Sequence, residues 1–489
     1  KNKSCRGRSD LFSRRGFFRE SSIGIKMSFL DTLISHLPEV KGPKQRLSFK
    51  EKLKWTLMIL VLFFVMGLVP LYGLGENALQ QFEFLSIILG ASFGSIISLG
   101  IGPLVTASIV LQLLSGTGIL KLDLATKEGR KKFQGLQKIT GIAFVIFEAA
   151  VYVLMGGLAP ADSLAQTAPA LFAQLEALLI FQLILGGIVI MFMDEVVSKW
   201  GFGSGISLFI VAGVAQQLFV RALNFLPSPT NPDIAAGAIP ALIQSLISGD
   251  ATTAALQMAA VLATVLIFGI SVYAQSMKVE IPLSFGRIRG QGIRWPLNFF
   301  YTSNIPVILV AALLANVQLF ARLFENWGHP LFGTFSGNTP ASGIVYWLSP
   351  PDLVGNFIRG TFALPQIGQA LFYIIVLVAG AVVFSIFWMQ TANMDAKSQA
   401  KQILASGLQI PGFRRDERVL EMVLERYIWP LTIVGGAAIG LLAAVADLTG
   451  TLANGTSIVL AVSIVYKLYE EISKQHMMDM HPAMRKFME

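Results

Sequence analysis

Residues Gln81–Leu114 read QFEFLSIILGASFGSIISLGIGPLVTASIVLQLL, and the organisation of the chain turns on them. Beyond Glu83 they belong to a charge-free run of 37 residues, Phe84 to Leu120. A bilayer core of about 30 Å takes about 20 helical residues, so one straight helix of that length would overshoot. Gly90, Gly94, Gly100, Gly102 and Pro103 interrupt the run. The spacing predicts a short half-helix from Phe82 to about Gly94. A second helix follows with Pro103 in its first turn, where the missing N–H costs least. Broken helices at membrane depth survive only where protein or water covers their loose backbone, and an interior half-helix points to a transport pathway. One kinked, tilted span is the alternative.

Composition widens this into a class. Of 489 residues, 54% are apolar and only 14% charged, against about 25% charged in an ordinary globular domain. That apolar surplus has to meet lipid. It excludes a disordered chain, a disulfide scaffold and a cytosolic enzyme of ordinary surface chemistry. Cys5 is alone and the four histidines are scattered, so redox and zinc chemistry have no basis.

Cutting the sequence at ionisable residues gives ten crossings: Trp55–Gly75, the run after Phe84, Ile139–Ala161, Ala177–Met193, Trp200–Val220, Ala251–Met277, Trp295–Ala321, Gly360–Met394, Tyr427–Ala446 and Leu448–Tyr466. An even number puts both termini on one side. Of the 38 Lys and Arg residues, 35 then fall on that side, and only Arg221, Arg322 and Arg359 on the other. Under the positive-inside rule that side is the cytoplasm. Ser48 followed by Glu51 forms a capping-box pattern at the start of span 1. Residues 1–26 read as upstream or expression-derived sequence. Residues 27–54 read as a cytoplasmic amphipathic start (Phe29, Leu30, Leu33, Ile34, Leu37) that lies on the membrane surface. Asn326–Pro351, rich in glycine and proline, reads as an external or re-entrant loop that does not span.

What is missing narrows the mechanism. Ion-coupled transporters need ionisable groups buried mid-membrane, and Glu148 is the only one expected deep inside a span. No GxxxxGK[ST] loop, HExxH or GxSxG pattern is present, so ATP hydrolysis and the commonest membrane proteases lack their motifs. The balance describes a passive conduit driven from elsewhere.

Five runs carry a resemblance: LGIGPLVTASIVLQLL (Leu99–Leu114), GSGISLFIVAG (Gly203–Gly213), IPLSFGRIRGQGIRWPLNFFYTSNIPVIL (Ile281–Leu309), IPGFRRDE (Ile410–Glu417) and SIVYKLYEE (Ser463–Glu471). In this order they resemble the SecY family, the large subunit of the protein-translocating channel, in its archaeal and eukaryotic-type branch. The likeness covers Met27 to Glu489. It implies an all-α polytopic membrane protein of ten transmembrane helices in two inverted five-helix halves, with a half-helix plug. The halves would be 55–225, including a plug over 82–94, and 251–472. An external linker, 226–250, and a cytoplasmic tail, 473–489, complete the chain.

The resemblance also implies roles. A ring of apolar side chains seals the centre: Ile101 and Val105 on span 2, Ile206 and Ile210 on span 5, Ile308 on span 7 and Leu460 on span 10. The two i, i+4 pairs each lie on one helix face. Lipid-facing or core packing is the alternative for any one of them taken alone. The plug carries Phe84, Leu85, Ile87, Ile88, Gly90 and Gly94. Thr106, Glu148 and Asn316 fall at a lateral gate between spans 2/3 and 7/8, or form a purely structural interhelical contact. Arg287, Arg289 and Arg414 fall where the family docks its cytosolic partner, with charge facing anionic lipid as the alternative. Implied partners are a SecE-type small subunit, a second small translocon subunit, the ribosome (rRNA and protein), signal peptides and nascent chains, and membrane lipid. No cofactor, metal or catalytic step is implied. The expected location is the cell membrane, multi-pass, with both termini cytoplasmic. A secondary transporter of a small solute is the competing reading, and a membrane scaffold without a pore is the third.

Overall fold

The computed structural model describes residues 37–480 apart from 46, 76–93, 117–118, 121–126, 156, 162–163, 165–166, 229–233, 286–291, 303–304, 337–338, 406–407 and 410–415. The expected surface stretch up to Ile34 and the plug residues Phe84, Leu85, Ile87, Ile88 and Gly90 lie outside the described residues, as do Arg287, Arg289 and Arg414.

Helix α1 spans Phe49–Gly67 and starts on the expected capping box. The Glu51 amide donates to Ser48 Oγ at 3.4 Å, and the Ser48 amide donates to Glu51 Oε2 at 3.2 Å. Leu57, Val61, Leu62 and Val65 are exposed along it, as a lipid-facing stripe requires. The chain returns through a pinned turn. The Leu71 amide donates to the Gly94 carbonyl at 2.8 Å, and the Ile96 amide to the Val69 carbonyl at 2.9 Å, an antiparallel bridge between Pro70 and Ser95. Gly94, at φ 82°, makes the corner. Helix α2, Gly102–Gly116, then begins with Pro103 in its first turn, as expected.

Helices α3 (Lys127–Leu154), α4 (Pro169–Trp200) and α5 (Gly205–Leu223) complete the first half. Gly186 of α4 presses on the corner before α2: a Cβ there would sit 1.7 Å from the Ile96 carbonyl oxygen. The second half opens with α6 (Ala238–Ser248), lying in what was expected to be a plain linker, and α7 (Ala251–Ser276). Strands β1 (Lys278–Phe285) and β2 (Gly292–Asn298) pair antiparallel, Lys278 opposite Asn298. Here the reading of Trp295 as the start of span 7 is corrected. Trp295 pairs with Ile281 in the hairpin, and α8 begins ten residues later, Ile305–Asn326. The expected non-spanning loop holds β3 (Phe335–Ser336), β4 (Thr339–Pro340) and the short α9 (Gly343–Trp347). After α10 (Leu353–Ile358), α11 (Pro365–Thr391) and α12 (Ala396–Ala405), strand β5 (Leu408–Gln409) joins the hairpin beside Ser284 and Phe285. Helices α13 (Glu417–Leu448) and α14 (Gly455–Met480) end the described chain.

The architecture is mostly helical, as expected, with a three-stranded sheet, β2-β1-β5, and a two-stranded one, β3-β4, in the connections. Among the described residues seven helices, α3, α4, α5, α7, α8, α11 and α13, are long and apolar enough to cross a membrane. Helix α7 is apolar all round, with Met258, Leu262, Val265 and Phe268 exposed, a surface that only lipid or an apolar partner covers.

Residues 38–41 are laced to these helices. Lys199 Nζ donates to Glu39 Oε1 and the Val40 carbonyl, both at 2.6 Å, and to Glu195 Oε1 at 2.9 Å. Lys138 on α3 bonds Glu195 Oε2 at 2.9 Å and the Pro38 carbonyl, and Trp200 Nε1 donates to the Lys41 carbonyl at 3.0 Å. Further along, Lys52 Nζ donates to Gln475 Oε1 at 2.9 Å, and Gln475 Nε2 to the Leu47 carbonyl at 3.4 Å.

Candidate functional site

Four helices deliver the apolar candidates to one place. The Val105 amide donates to the Ile101 carbonyl at 3.0 Å, which stacks those two side chains one turn apart at the start of α2. Ile210 comes from α5, Ile308 from α8 and Leu460 from α14. Ile101, Val105, Ile210 and Leu460 are each 5% exposed or less, and Ile206 and Ile308 are half-buried against the same apolar cluster. Ile101, Val105, Ile210, Ile308 and Leu460 all line one cavity of about 560 Å³. Ile206 packs into the cluster without lining the cavity, one turn nearer the start of α5. None of the six side chains is exposed on an outer face.

Away from these residues the cavity wall turns polar, with Arg221, Arg322, Asp352, Asp447 and Asn454. Two of these overturn expectations. Arg322, counted as an external loop cation, is 7% exposed at the end of α8, its guanidinium carbon 4.6 Å from the centre of the Phe335 ring. The loop from Asn326 folds back over it. Asp447, placed between spans, lies inside α13. Its Oδ2 accepts from Tyr373 Oη at 2.6 Å and from Thr456 Oγ1, and its Oδ1 from the Thr456 amide at 2.8 Å. Glu148 is thus not the only enclosed ionisable group. The pattern Asp447 to Gly455-Thr456 was the available signal, but charges near helix ends read as loop.

The gate candidates do meet. Asn316 Nδ2 of α8 donates to Thr106 Oγ1 of α2 at 3.0 Å. Thr106 Oγ1 lies 3.2 Å from Glu148 Oε1 of α3 and 2.9 Å from the Gly102 carbonyl. Glu148 is 4% exposed, so the carboxyl depends on this contact rather than on solvent. Around the triad, Ala315, Leu319 and Leu323 of α8 share an apolar cluster with Val145, Ala149, Tyr152 and Val153 of α3. Helices α2, α3 and α8 are thus joined by one polar contact set inside an apolar cluster. Of the plug candidates, Gly94 is described, and its carbonyl closes the bridge to Leu71. Strands β1, β2 and β5 pair the loops in which Arg287, Arg289 and Arg414 occur. Among the described residues no group of His, Cys, Asp and Glu could hold a metal ion.

A multi-pass helical membrane protein in which four helices bring apolar side chains to one partly polar-walled cavity has the build of a channel. The SecY family profile matches residues 95–469, and the profile "Plug domain of Sec61p" matches 61–94. The chain is 47% identical over 462 residues to the protein translocase subunit SecY of Methanothermobacter thermautotrophicus, covering 94% of this chain and 98% of that one. Among solved structures it is similar to "The structure of a protein conducting channel", with a TM-score of 0.79, 39% identity and coverage of 93% and 99%. It is also similar to "Sec61 in the Canine ribosome-channel complex from the endoplasmic reticulum", with a TM-score of 0.76 and 39% identity over 93% and 99%. This chain belongs to the SecY family. That family forms protein-conducting channels and is not one of enzymes, and nothing in these matches supports a small-solute transporter.

Proposed function

We propose that the chain is the central channel subunit of a SecY-type translocon, passing unfolded polypeptides across the membrane and releasing transmembrane segments sideways into lipid. The observation that carries this is the convergence of Ile101, Val105, Ile210, Ile308 and Leu460, from four helices, on one cavity. A narrow branched-aliphatic waist stays dry and so excludes ions, while its side chains can part around an extended chain without reading its sequence. Ile206 completes the ring on the side away from the cavity. Residues 82–94, with Phe84, Leu85, Ile87, Ile88, Gly90 and Gly94, act as the plug of that ring, and Thr106, Glu148 and Asn316 latch the lateral gate.

In this reading ten helices cross the membrane: the seven long apolar ones together with α1, α2 and α14. Both termini are cytoplasmic, a reading the 35-to-3 division of cations supports, and the location is the cell membrane. The similarity to a channel solved in a ribosome-channel complex supports ribosome docking at the loops after spans 6 and 8, through Arg287, Arg289 and Arg414. A SecE-type subunit and a second small subunit complete the assembly against exposed apolar faces such as that of α7.

The test is reconstitution into vesicles. A preprotein becomes protected inside them, and Ile101→Ser with Ile210→Ser raises ion leak without abolishing that protection. Deleting Phe84–Ser92 does the same. Saturable uptake of a small solute without preprotein entry, or unchanged leak in the double variant, overturns the proposal.

A further inference from the structure

The constriction is presented in part by the first turns of two helices, α5 and α14, and the two beginnings share a construction. Each follows a helix of 32 residues, α4 and α13. Each opens on a glycine wedged against that helix: a Cβ on Gly205 would lie 2.5 Å from Asp194 Cα, and one on Gly455 would lie 2.0 Å from the Ala446 carbonyl carbon. Each has its first free amides taken by an aspartate from the preceding helix and not by its own N-cap residue. Ser204 stands at the N-cap position of α5 without a side-chain cap bond. Instead Asp194 Oδ1 accepts the Ile206 amide at 2.9 Å, with Ser204 Oγ 3.4 Å away. At α14, Asp447 Oδ1 accepts the Thr456 amide at 2.8 Å, while its Oδ2 receives the Thr456 hydroxyl and, at 2.6 Å, Tyr373 Oη from α11.

A carboxylate at a helix N-terminus satisfies orphan donors and complements the positive end of the dipole. Here it also ties that end to a neighbouring helix, so the cap sets where the helix starts and how it is turned. The consequence falls directly on the ring. The amide held by Asp194 is that of Ile206 itself, with Ile210 one turn on. Leu460 lies one turn beyond Thr456. The two devices sit at opposite faces of the membrane, because α5 starts on the expected cytoplasmic side and α14 on the external side.

We propose that Asp194 and Asp447 are positioning residues of the constriction: cross-helix caps that fix the height and rotation of α5 and α14, and with them Ile206, Ile210 and Leu460. The inference rests on the reading of those side chains as the seal. Losing a cap shifts the balance between fixed and frayed helix starts about fivefold. Asp194→Ala and Asp447→Ala, each in the assembled channel in vesicles, should therefore raise resting ion leak by about that factor. Asp194→Asn and Asp447→Asn, which keep an acceptor oxygen for the amide, should restore most of the seal. A role in folding alone would lower thermal stability and leave the leak unchanged. Tyr373→Phe and Ser204→Ala each remove one bond and keep the carboxylate, so they serve if an alanine variant does not assemble. They should raise leak by about twofold. Ile210→Ser separates the two claims. If it leaks while the assembled aspartate, Tyr373 and Ser204 variants do not, the positioning role is overturned and the seal stands. If Ile210→Ser does not leak either, the seal itself is overturned.

Discussion

Replacing Asn316 by alanine tests the lateral gate where its geometry is most specific. The side-chain amide on α8 makes one bond to Thr106 on α2, 3.0 Å long and across the proposed opening. Alanine removes the donor without adding apolar contact that would draw the two sides together. Interhelical hydrogen bonds in membranes are worth about 0.6 kcal/mol on average and up to about 1.7. Glu148 gives this one a neighbour it cannot exchange for water, so about 1 kcal/mol is a fair value. That is roughly a fivefold shift toward the open gate. Each leucine in a test segment contributes about 0.3–0.6 kcal/mol to insertion, so the hydrophobicity threshold should fall by about two leucines. The assay is the inserted fraction of a graded series of Leu/Ala segments in vesicles carrying wild-type or variant channel. Thr106→Ala removes this bond and the contact to Glu148 as well, so it should lower the threshold at least as far, and the double variant should go little beyond Thr106→Ala. An unchanged or raised threshold in Asn316→Ala, or strict additivity in the double variant, would refute the latch.

Other expectations follow from single contacts. Gly186→Ala puts a methyl 1.7 Å from the Ile96 carbonyl oxygen. Overpacking of this kind costs about 1–3 kcal/mol, so the detergent-solubilised protein should melt at lower temperature, and a wild-type melting curve would contradict the close approach. Lys199→Met removes three bonds that hold residues 39–40 and Glu195. Tryptic cleavage after Lys41 or Lys44 should then quicken about fivefold, since partly exposed pairs are worth up to about 1 kcal/mol. Asp250 caps α7, and the Thr253 hydroxyl and amide hold its carboxyl below the ordinary value. That support is present above the usual carboxylate pKa of about 3.9 and is lost as pH falls through the lower folded value. A carbon-detected NMR titration of Asp250 with a midpoint at or above the ordinary value would contradict it.

Much of the site could be read before the fold was seen, because its residues sit in runs with distinctive local physics. Ser48 and Glu51 spell a helix start, Pro103 marks the first turn of α2, and Thr106, Glu148 and Asn316 are the polar exceptions in apolar helices. What escaped was long-range. Trp295-Pro296-Leu297-Asn298 is as apolar as a span beginning, and only pairing with Lys278–Ile281 makes it a strand. Cutting at charges also shortened the helices. Helix α3 starts at Lys127 and not at Ile139, and α13 at Glu417 and not at Tyr427. Helices project beyond the hydrocarbon, and hydropathy registers only the part within it. Arg322 and Asp447 were misjudged for the same reason. They lie near helix ends, where a charge looks solvated until the fold brings a ring over one and a tyrosine to the other.

The lacing of residues 38–41 carries a consequence for the chain's birth. Every partner in the knot around Lys199 lies between Pro38 and Trp200, so residues 38–41, α3 and α4 can be buckled together before α5 and all that follows it have been made. Lys52 and Leu47 must wait for Gln475. The first helix is therefore fastened twice: early, where the Phe202 amide donates to Thr56 Oγ1 at 3.0 Å beside the Trp55–Trp200 ring contact, and late, when Gln475 reaches Lys52 and Leu47.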